Sequence, residues 1–242
     1  MSGDKEKAKT HKLSLKGSSK LVAEFFEYSI NTILHQRGVY PAEDFTPVKK
    51  YGLNMLLTSD DQVKAYIKKI MSQLNKWMLS SKISKLVIVI TSKETGESIE
   101  RWQFDVRLPQ SRDFKEGLKN IKVEIFGRHA KKHSSRDQEK STDKENSAPA
   151  ISPSAQTSEK SEKEIQQEIQ AIFRQITASV TFLPQLDTGG CTFNVLVYAD
   201  ADSEVPLEWG DSDAKEIENG EKVQLRSFST SNHRVGTLVS YR

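Results

Sequence analysis

The sequence predicts an α+β fold in which three helices pack on an antiparallel sheet. Three stretches carry apolar residues at three- and four-residue spacing, which is the period of an amphipathic helix. Other stretches alternate apolar and polar residues as half-buried strands do, and two short runs are apolar on both faces. With 242 residues, of which 36% are hydrophobic and 29% charged, the chain can bury one core, so we expect a single domain.

The first predicted helix covers residues 18–37, and Gly38 and Pro41 follow it as helix-ending residues. Its apolar stripe consists of Val22, Phe25, Phe26, Ile30, Ile33 and Leu34. A half-buried strand is predicted next in YGLNMLLT, residues 51–58, because Leu53, Met55 and Leu57 share one side.

A second helix is expected to begin at a capping box formed by Ser59 and Gln62 and to end near Leu79. The run KLVIVIT, residues 85–91, is apolar on both faces, which predicts a central strand. After the turn SKETGES, the segment IERWQFDV predicts a hairpin partner with one wetter face. Its apolar face carries Trp102, Phe104 and Val106, and its wetter face carries Arg101, Gln103 and Asp105.

Residues from about 108 to 160 predict a disordered insertion, because most of this stretch is polar and cannot offset the entropy of ordering. Ile121, Val123 and Ile125 alternate in its first part, so local strand pairing there stays open as an alternative.

A third helix is predicted to begin at a capping box of Ser161 and Glu164. Its core face would be Ile165, Ile169, Ile172, Phe173 and Ile176. The β-branched end of this segment, ITASVTFLP, predicts a direct passage into a strand that Pro184 closes. CTFNVLVYA then predicts another two-sided strand, with Phe193, Val195 and Val197 on one face and Leu196 and Tyr198 on the other.

About twenty residues without periodicity separate this strand from a terminal hairpin at 222–242. They contain Val205, Pro206, Leu207 and Trp209, which we expect to dock on the body and to carry the hairpin to another place on the sheet. In the hairpin, Val223, Leu225, Val235, Val239 and Tyr241 can face a core, whereas Arg226, Ser229, Thr230 and His233 tolerate water. Phe228 breaks the alternation, which indicates a bulge.

Composition excludes several classes of function. One cysteine, Cys191, excludes an internal disulfide and a cysteine-based zinc site and favours a reducing compartment, the nucleus or cytosol. A net charge of +3 with interspersed signs does not indicate nucleic-acid binding, and no run is long and apolar enough to span a membrane. Phosphate-binding, kinase and metalloprotease motifs are absent, the five histidines form no site, and no cofactor, metal or catalytic residue is expected.

One short motif has an enzymatic alternative. Asp187, Thr188 and Gly189 follow a leucine, as in the loop of aspartic proteases, where two such aspartates share a proton. A turn between strands needs Asp and Gly in any case, and a single copy would require a homodimer, so we interpret it as a turn. Cys191 opens a strand and is expected to be a small buried residue.

The chain carries the collinear blocks LKGSSKLVAEFFEYSINTILHQRGVYPAEDF, KYGLNML, ERWQFDV, EIQAIFRQITASVTFLPQL, TFNVLVYADADSEVPLEW and QLRSFSTSNHRVGTLVSYR. These blocks resemble, in a fungal form, the HORMA-domain spindle assembly checkpoint proteins of the mitotic-arrest-deficient family. The resemblance implies a single HORMA domain over 13–242, interrupted by the insertion and preceded by a charged flexible leader at 1–12. The leader and the insertion are both longer than the family pattern.

The resemblance implies that the C-terminal segment at about 199–242 is a safety belt, here called the belt. The belt would occupy one sheet edge in an open state and the opposite side in a closed state, in which it traps a peptide added to the receiving strand. That strand maps to Thr192, Phe193, Asn194, Val195, Leu196, Val197 and Tyr198. The belt residues are Trp209, Val223, Leu225, Arg226, Phe228, His233, Val239 and Tyr241. A free end would allow the exchange between the two positions.

The partners that the resemblance implies are the coiled-coil kinetochore receptor, the anaphase-promoting-complex activator within the mitotic checkpoint complex, and an AAA+ ATPase that pulls on the N-terminus. An open copy and a closed copy would form a homodimer through Arg174, Gln175 and Phe182, which without the resemblance are better explained as a solvated pair and a core phenylalanine. The implied locations are the nucleus, unattached kinetochores in mitosis, the nuclear envelope and the cytoplasm. The function is delay of anaphase, and the alternative is a related HORMA adaptor in DNA repair or on the meiotic chromosome axis. Lys144, Glu145 and Asn146 spell KEN, a candidate degron that a tract of this composition also produces by chance.

Overall fold

The computed structural model describes residues 13–108, 121–125 and 160–242. In chain order its helices are α1 (Leu15–Gln36), α2 (Asp61–Leu79) and α3 (Glu162–Ala178). Its strands are β1 (Phe45–Lys50), β2 (Leu53–Thr58), β3 (Ile83–Ser92), β4 (Ser98–Arg107), β5 (Ile121–Ile125), β6 (Cys191–Ala199), β7 (Trp209–Asp211), β8 (Glu221–Gln224), β9 (Phe228–Ser229) and β10 (Arg234–Tyr241).

The main sheet has the strand order β7-β5-β6-β3-β4-β10-β8, with β9 also paired to β10, and its strand pairs are antiparallel. The expected fold class is therefore confirmed. β3 lies between β4 and β6, and its residues from Leu86 to Ile90 are almost completely buried, as the two-sided apolar run predicted. β6 is likewise buried on both faces from Val195 to Ala199.

A separate hairpin joins β1 and β2 through a turn at Tyr51 and Gly52, both of which have positive φ angles, of 50° and 67°. Such a turn matches the twist of the strands that it connects. The sequence predicted β2 but not β1, because β1 buries only Phe45 and carries no alternating apolar pattern.

Helix α1 lies at the centre of the core. The ring of Phe25 contacts Phe104 of β4, Phe173 of α3 and Phe228 of β9, at centroid distances of 5.8, 5.3 and 4.9 Å. Edge-to-face and tilted contacts of this kind add to the burial of aromatic area. The core of the sheet, the third helix and the terminal strands therefore meet on one helix.

Two helix ends differ from the prediction. The N-cap of α2 is Asp60, whose carboxylate accepts from the backbone N–H of Val63 at 2.8 Å, so the capping box at Ser59 and Gln62 was wrong. A carboxylate at this position also interacts favourably with the positive N-terminal end of the helix dipole. The box of Ser161 and Glu164 at the start of α3 is confirmed, and its capping hydrogen bonds lower the pKa of Glu164.

The passage from α3 directly into a strand was also wrong. The buried stripe of α3 is the predicted one, and it continues from Ile176 to Ser179, three residues apart. The chain therefore continues in a further helical turn at Ser179–Thr181, and the Ser179 hydroxyl donates to the Ile176 carbonyl at 2.6 Å. Packing therefore overrides the β-branched composition of the segment.

Within the described residues, no helix is long and apolar enough to cross a membrane, and no group of three or more His, Cys, Asp or Glu residues could hold a metal ion. Cys191 is buried as predicted, and burial raises the pKa of its thiol.

Candidate strand-capture site

Strand β6 contains the whole predicted receiving segment. Phe193, Val195, Leu196, Val197 and Tyr198 are buried, whereas Thr192 and Asn194 are half-buried. One edge of β6 pairs with β3 along its full length, and Leu196 to Ala199 pair on the other edge with β5. The receiving edge of β6 therefore holds a further strand.

That further strand, β5, lies inside the segment for which the sequence predicted disorder. Ile121 is opposite Ala199 of β6, and Ile125 is opposite Trp209 of β7. The alternative of strand pairing at Ile121, Val123 and Ile125 therefore describes residues 121–125 better than disorder does, because β5 pairs with a neighbouring strand on each edge. The rest of the predicted insertion, including Lys144, Glu145 and Asn146, lies outside the described residues, as does the leader.

The belt first runs from the end of β6 along the C-terminal end of α2. The Asp200 N–H donates to the Lys82 carbonyl at 2.9 Å, and the Lys82 ammonium contacts the Asp202 carboxylate at 2.6 Å. The indole N–H of Trp77 donates to the Glu204 carbonyl at 3.1 Å. The chain therefore passes beside α2 before it returns to the sheet edge as β7.

Trp209 is the apolar anchor of this part of the belt. It is 5% exposed, and its ring meets the Trp77 ring edge to face at 5.1 Å between centroids. The predicted docking of the segment is confirmed for Trp209, and Val205 is partly buried against the core. It was wrong for Leu207, which is fully exposed.

After β7 the belt crosses the face of the sheet opposite the helices, where Arg101 holds it. Arg101 is 1% exposed, and its guanidinium donates to the Ala214 carbonyl at 3.1 Å and contacts the Glu216 carboxylate at 3.2 Å. It also donates to the Tyr198 hydroxyl at 3.3 Å. Arg101 therefore links β4 and β6 to the belt, although the sequence placed it on a wet face.

The terminal hairpin then pairs with β4, on the edge opposite the receiving strand. β10 pairs with β4 from Arg234 to Tyr241, and β8 and β9 pair with β10. From Gln224 to Phe228 the chain takes four steps, whereas from Leu238 to Val235 it takes three, so the bulge predicted near Phe228 is confirmed.

The predicted burial of most hairpin residues is confirmed. Leu225, Phe228, Val235 and Val239 are buried, Val223 and Tyr241 are half-buried, and Arg226 is exposed. Thr230 and His233, which the sequence predicted to tolerate water, are buried. The Ser18 hydroxyl of α1 lies 2.6 Å from the Thr230 hydroxyl and 2.6 Å from Nδ1 of His233, and this polar cluster satisfies both belt side chains.

Burial lowers the pKa of His233, because the apolar surroundings disfavour the charged imidazolium. The same corner of the hairpin also contacts the N-terminal end of α1. The Ser231 hydroxyl and the Asn232 amide both donate to the Leu13 carbonyl, at 3.0 Å. Docking of the hairpin is thus coupled to the position of the first residues that the structure describes.

Helix α3 also contacts the hairpin. The Gln175 side-chain oxygen accepts from the Arg226 N–H at 2.7 Å, and the Glu168 carboxylate accepts from the Ser229 N–H at 3.1 Å. Arg174 is exposed, and Phe182 is 40% exposed with its ring 6.0 Å from that of Tyr241. Of the three predicted dimerisation residues, Gln175 lies at the junction of α3 and the hairpin and Phe182 lies beside it, whereas Arg174 borders a groove formed with β2 and the C-terminal end of α1. Phe182 is not a core residue.

A buried ion pair braces the β4 edge that receives the hairpin. Glu100 is completely buried, and it accepts from the guanidinium of Arg37, with Nε at 2.8 Å, and from the indole of Trp102 at 3.1 Å. Arg37 also donates to the Pro184 carbonyl. The sequence did not single out this pair, since its members are 63 residues apart.

Asp187 lies in a turn, in which the Gly190 N–H donates to the Asp187 carbonyl at 2.9 Å and Gly189 has a φ of 72°. Asp187 and Gly189 are exposed. A turn therefore accounts for Asp187, Thr188 and Gly189. The turn leads into β6, but the element directly before it is the helical turn at Ser179–Thr181 and not a strand.

The fold and the site define a class of protein in which a C-terminal segment encloses a strand added to one sheet edge and then docks on the opposite edge. The profile of the HORMA domain family matches residues 18–233. The chain is 51% identical to the mitotic spindle checkpoint component mad2 of Schizosaccharomyces pombe, over 95% of this chain and 94% of that protein. It is 46% identical to MAD2 of Saccharomyces cerevisiae, over 95% of this chain and 97% of the relative.

Among solved structures, a chain of the crystal structure of the mitotic checkpoint complex is similar, with a TM-score of 0.70 and 49% identity over 93% of this chain and 99% of that chain. The chain therefore belongs to the HORMA domain family and, within it, to the Mad2 spindle checkpoint proteins.

Proposed function

We propose that the protein is a non-enzymatic conformational switch of the spindle assembly checkpoint that captures peptides of the anaphase-promoting-complex activator and of the coiled-coil kinetochore receptor. Holding the activator in this way delays anaphase. The observation that carries the proposal is the position of the terminal hairpin on β4, on the edge opposite the receiving strand β6. This is the arrangement expected of the closed, capturing state.

Capture by strand addition follows from the chemistry of a sheet edge. The edge of β6 offers backbone N–H and C=O groups, so a peptide of varied sequence gains main-chain hydrogen bonds. The belt then passes along α2, beside the added strand and across the outer face of the sheet. A captured peptide leaves only after these contacts open, so the belt acts mainly on the dissociation rate.

The contacts of the belt are of a kind that can exchange between two positions. The Arg101–Glu216 contact and the cluster of Ser18, Thr230 and His233 are polar, and their groups can be solvated again when the belt detaches. Each such hydrogen bond contributes about 1 kcal/mol net, so these polar contacts add little to the free-energy difference between two packings.

Two features support the partners proposed beyond the captured peptide. Exposed Phe182 beside the hairpin and exposed Arg174 on α3 support the association of an open copy with a closed copy. The hydrogen bonds from Ser231 and Asn232 to the Leu13 carbonyl give an AAA+ ATPase that pulls on the N-terminus a direct route to the hairpin. The proposed locations are unattached kinetochores in mitosis, the nucleus with its envelope, and the cytoplasm.

The alternative function, a HORMA adaptor in DNA repair or on the meiotic chromosome axis, is not favoured. The two yeast relatives that match along nearly their whole length carry spindle checkpoint names.

Removal of residues 233–242 tests the proposal. This deletion takes away β10 and leaves β3, β4, β6 and the helices, so stable capture of an activator peptide should be lost while the core still unfolds cooperatively. The double variant Lys64→Ala, Asp61→Ala, at an exposed ion pair on α2, is the matched control and should capture normally. If the shortened chain retains the peptide with the dissociation rate of the full chain, the belt is not the trap.

A further inference from the structure

Strand β5 occupies the place that a captured peptide would take, and it is part of the same chain. It pairs with the receiving strand through Ile121 to Glu124 and with the belt through Val123 to Ile125. We propose that residues 121–125 are a built-in ligand that the closed belt holds against β6, so that a peptide from another protein must displace them. This inference rests on the proposed function of the site.

The pairing on both edges distinguishes β5 from an ordinary edge strand. An internal strand forms ladders with two neighbours, and here one neighbour is β6 and the other is β7 of the belt. Between the end of β6 and the start of β7 the belt runs along α2, and after β7 it crosses the outer face to Arg101. The belt thus encloses residues 121–125 as it would enclose a peptide.

The covalent connection is long enough for this capture. Asp105 of β4 and Tyr198 of β6 are both opposite Lys85 of β3, and Lys122 is opposite Tyr198, so β4 ends at the same end of the sheet where β5 begins. Three strand spacings of about 4.8 Å separate β4 from β5, which makes about 14 Å. The thirteen residues 108–120 span up to about 43 Å when extended, so the connection reaches without strain.

A short connection also gives the segment a concentration advantage. For a linker of this length the effective concentration at the receiving strand is on the order of 1 mM. A segment with an intrinsic dissociation constant of about 0.1 mM would then be bound about nine-tenths of the time, and it would weaken a competing peptide about tenfold. The sequence IKVEI suits this role, because its β-branched residues favour strands.

The test compares Val123→Pro with Val123→Thr in the full chain. Proline removes a backbone donor from the middle of a strand with two partners, whereas threonine keeps both the donor and the strand propensity. The probe is a fluorescent synthetic peptide that copies residues 117–128, GLKNIKVEIFGR, together with a peptide from the anaphase-promoting-complex activator.

We expect Val123→Pro to bind both peptides about tenfold more tightly than the unchanged chain, and Val123→Thr to bind them as the unchanged chain does. Equal affinities in all three chains would overturn the built-in ligand and leave the proposed function standing if the activator peptide is captured. If no chain captures the activator peptide, the proposed function itself fails.

Amide hydrogen exchange gives a second readout that does not depend on a peptide. The amides of 121–125 should be protected in the unchanged chain and in Val123→Thr, and they should lose protection in Val123→Pro while β3 keeps it. Exchange of these amides at the rate of an unfolded chain would overturn the inference. Loss of protection after about a hundredfold dilution would also overturn it, because the segment would then come from a second copy.

Discussion

Replacing Trp209 by alanine is expected to open the belt about a hundredfold more often without unfolding the domain. The indole is 5% exposed and packs edge to face on Trp77 at 5.1 Å. Truncation of a buried tryptophan costs about 3–5 kcal/mol, of which the ring pair contributes about 0.5–1.5 kcal/mol. At the lower value of about 3 kcal/mol, and with a factor of ten for each 1.4 kcal/mol, local opening rises about a hundredfold.

The assay is amide hydrogen exchange of peptides covering 200–212, with β3 as the internal reference. Leu207→Ala is a matched control, because this neighbouring side chain is fully exposed and its removal should leave protection unchanged. Equal protection in Trp209→Ala and Leu207→Ala would refute the anchoring role. A loss of protection that is as large in β3 as in the belt would refute the claim that the belt opens independently.

Two further predictions concern buried charge. Glu100→Ala leaves the Arg37 guanidinium buried without its carboxylate partner, so the free energy of unfolding measured in urea should fall by about 3–5 kcal/mol. Lys64→Ala, at an exposed ion pair, should lower it by less than about 1 kcal/mol. Equal losses in the two variants would contradict the role of the buried pair. Because burial lowers the pKa of His233, the docked hairpin should be fully stable above about pH 6.5 and should lose stability as the pH falls below that value, since the undocked imidazole takes up a proton more readily. Hydrogen exchange of 230–241 at two pH values checks this. His233→Gln should abolish the difference, whereas His35→Gln, whose ring packs on Phe45, should leave it.

The parts of the fold that the sequence predicts well are those in which one segment buries a periodic stripe. The stripes of α1 and α3 are recovered residue by residue, because each helix meets the core along its whole length. The two-sided burial of β3 and β6 also follows from their composition, since only a covered strand is apolar on both faces. β1 and β7 carry no period, because they are short and bury one residue each.

The candidate site is less predictable, because its contacts join distant parts of the chain. The two-sided strand β6 and the docking of Trp209 follow from local pattern, whereas the receiving role of β6 comes from the family resemblance alone. The burial of Arg101 depends on Ala214 and Glu216, more than a hundred residues later. The burial of Leu207 and Trp209 also differs although they are two residues apart: Trp209 packs on the ring of Trp77, which is distant in sequence, whereas Leu207 is fully exposed.

The unexpected burial of Arg101, Thr230 and His233 has one common explanation under the proposed function, in which the belt detaches from its docking place. A segment that leaves its docking place must not expose a large apolar patch, because such patches promote aggregation. Part of its attachment therefore uses polar groups that are buried when docked and solvated when free, as in the contact of Arg101 with Glu216 and the cluster of Ser18 with His233. In the sequence these residues look like ordinary surface residues. A polar residue that alternates with apolar ones in a terminal hairpin, but is buried in the structure, therefore identifies a docking contact of the belt.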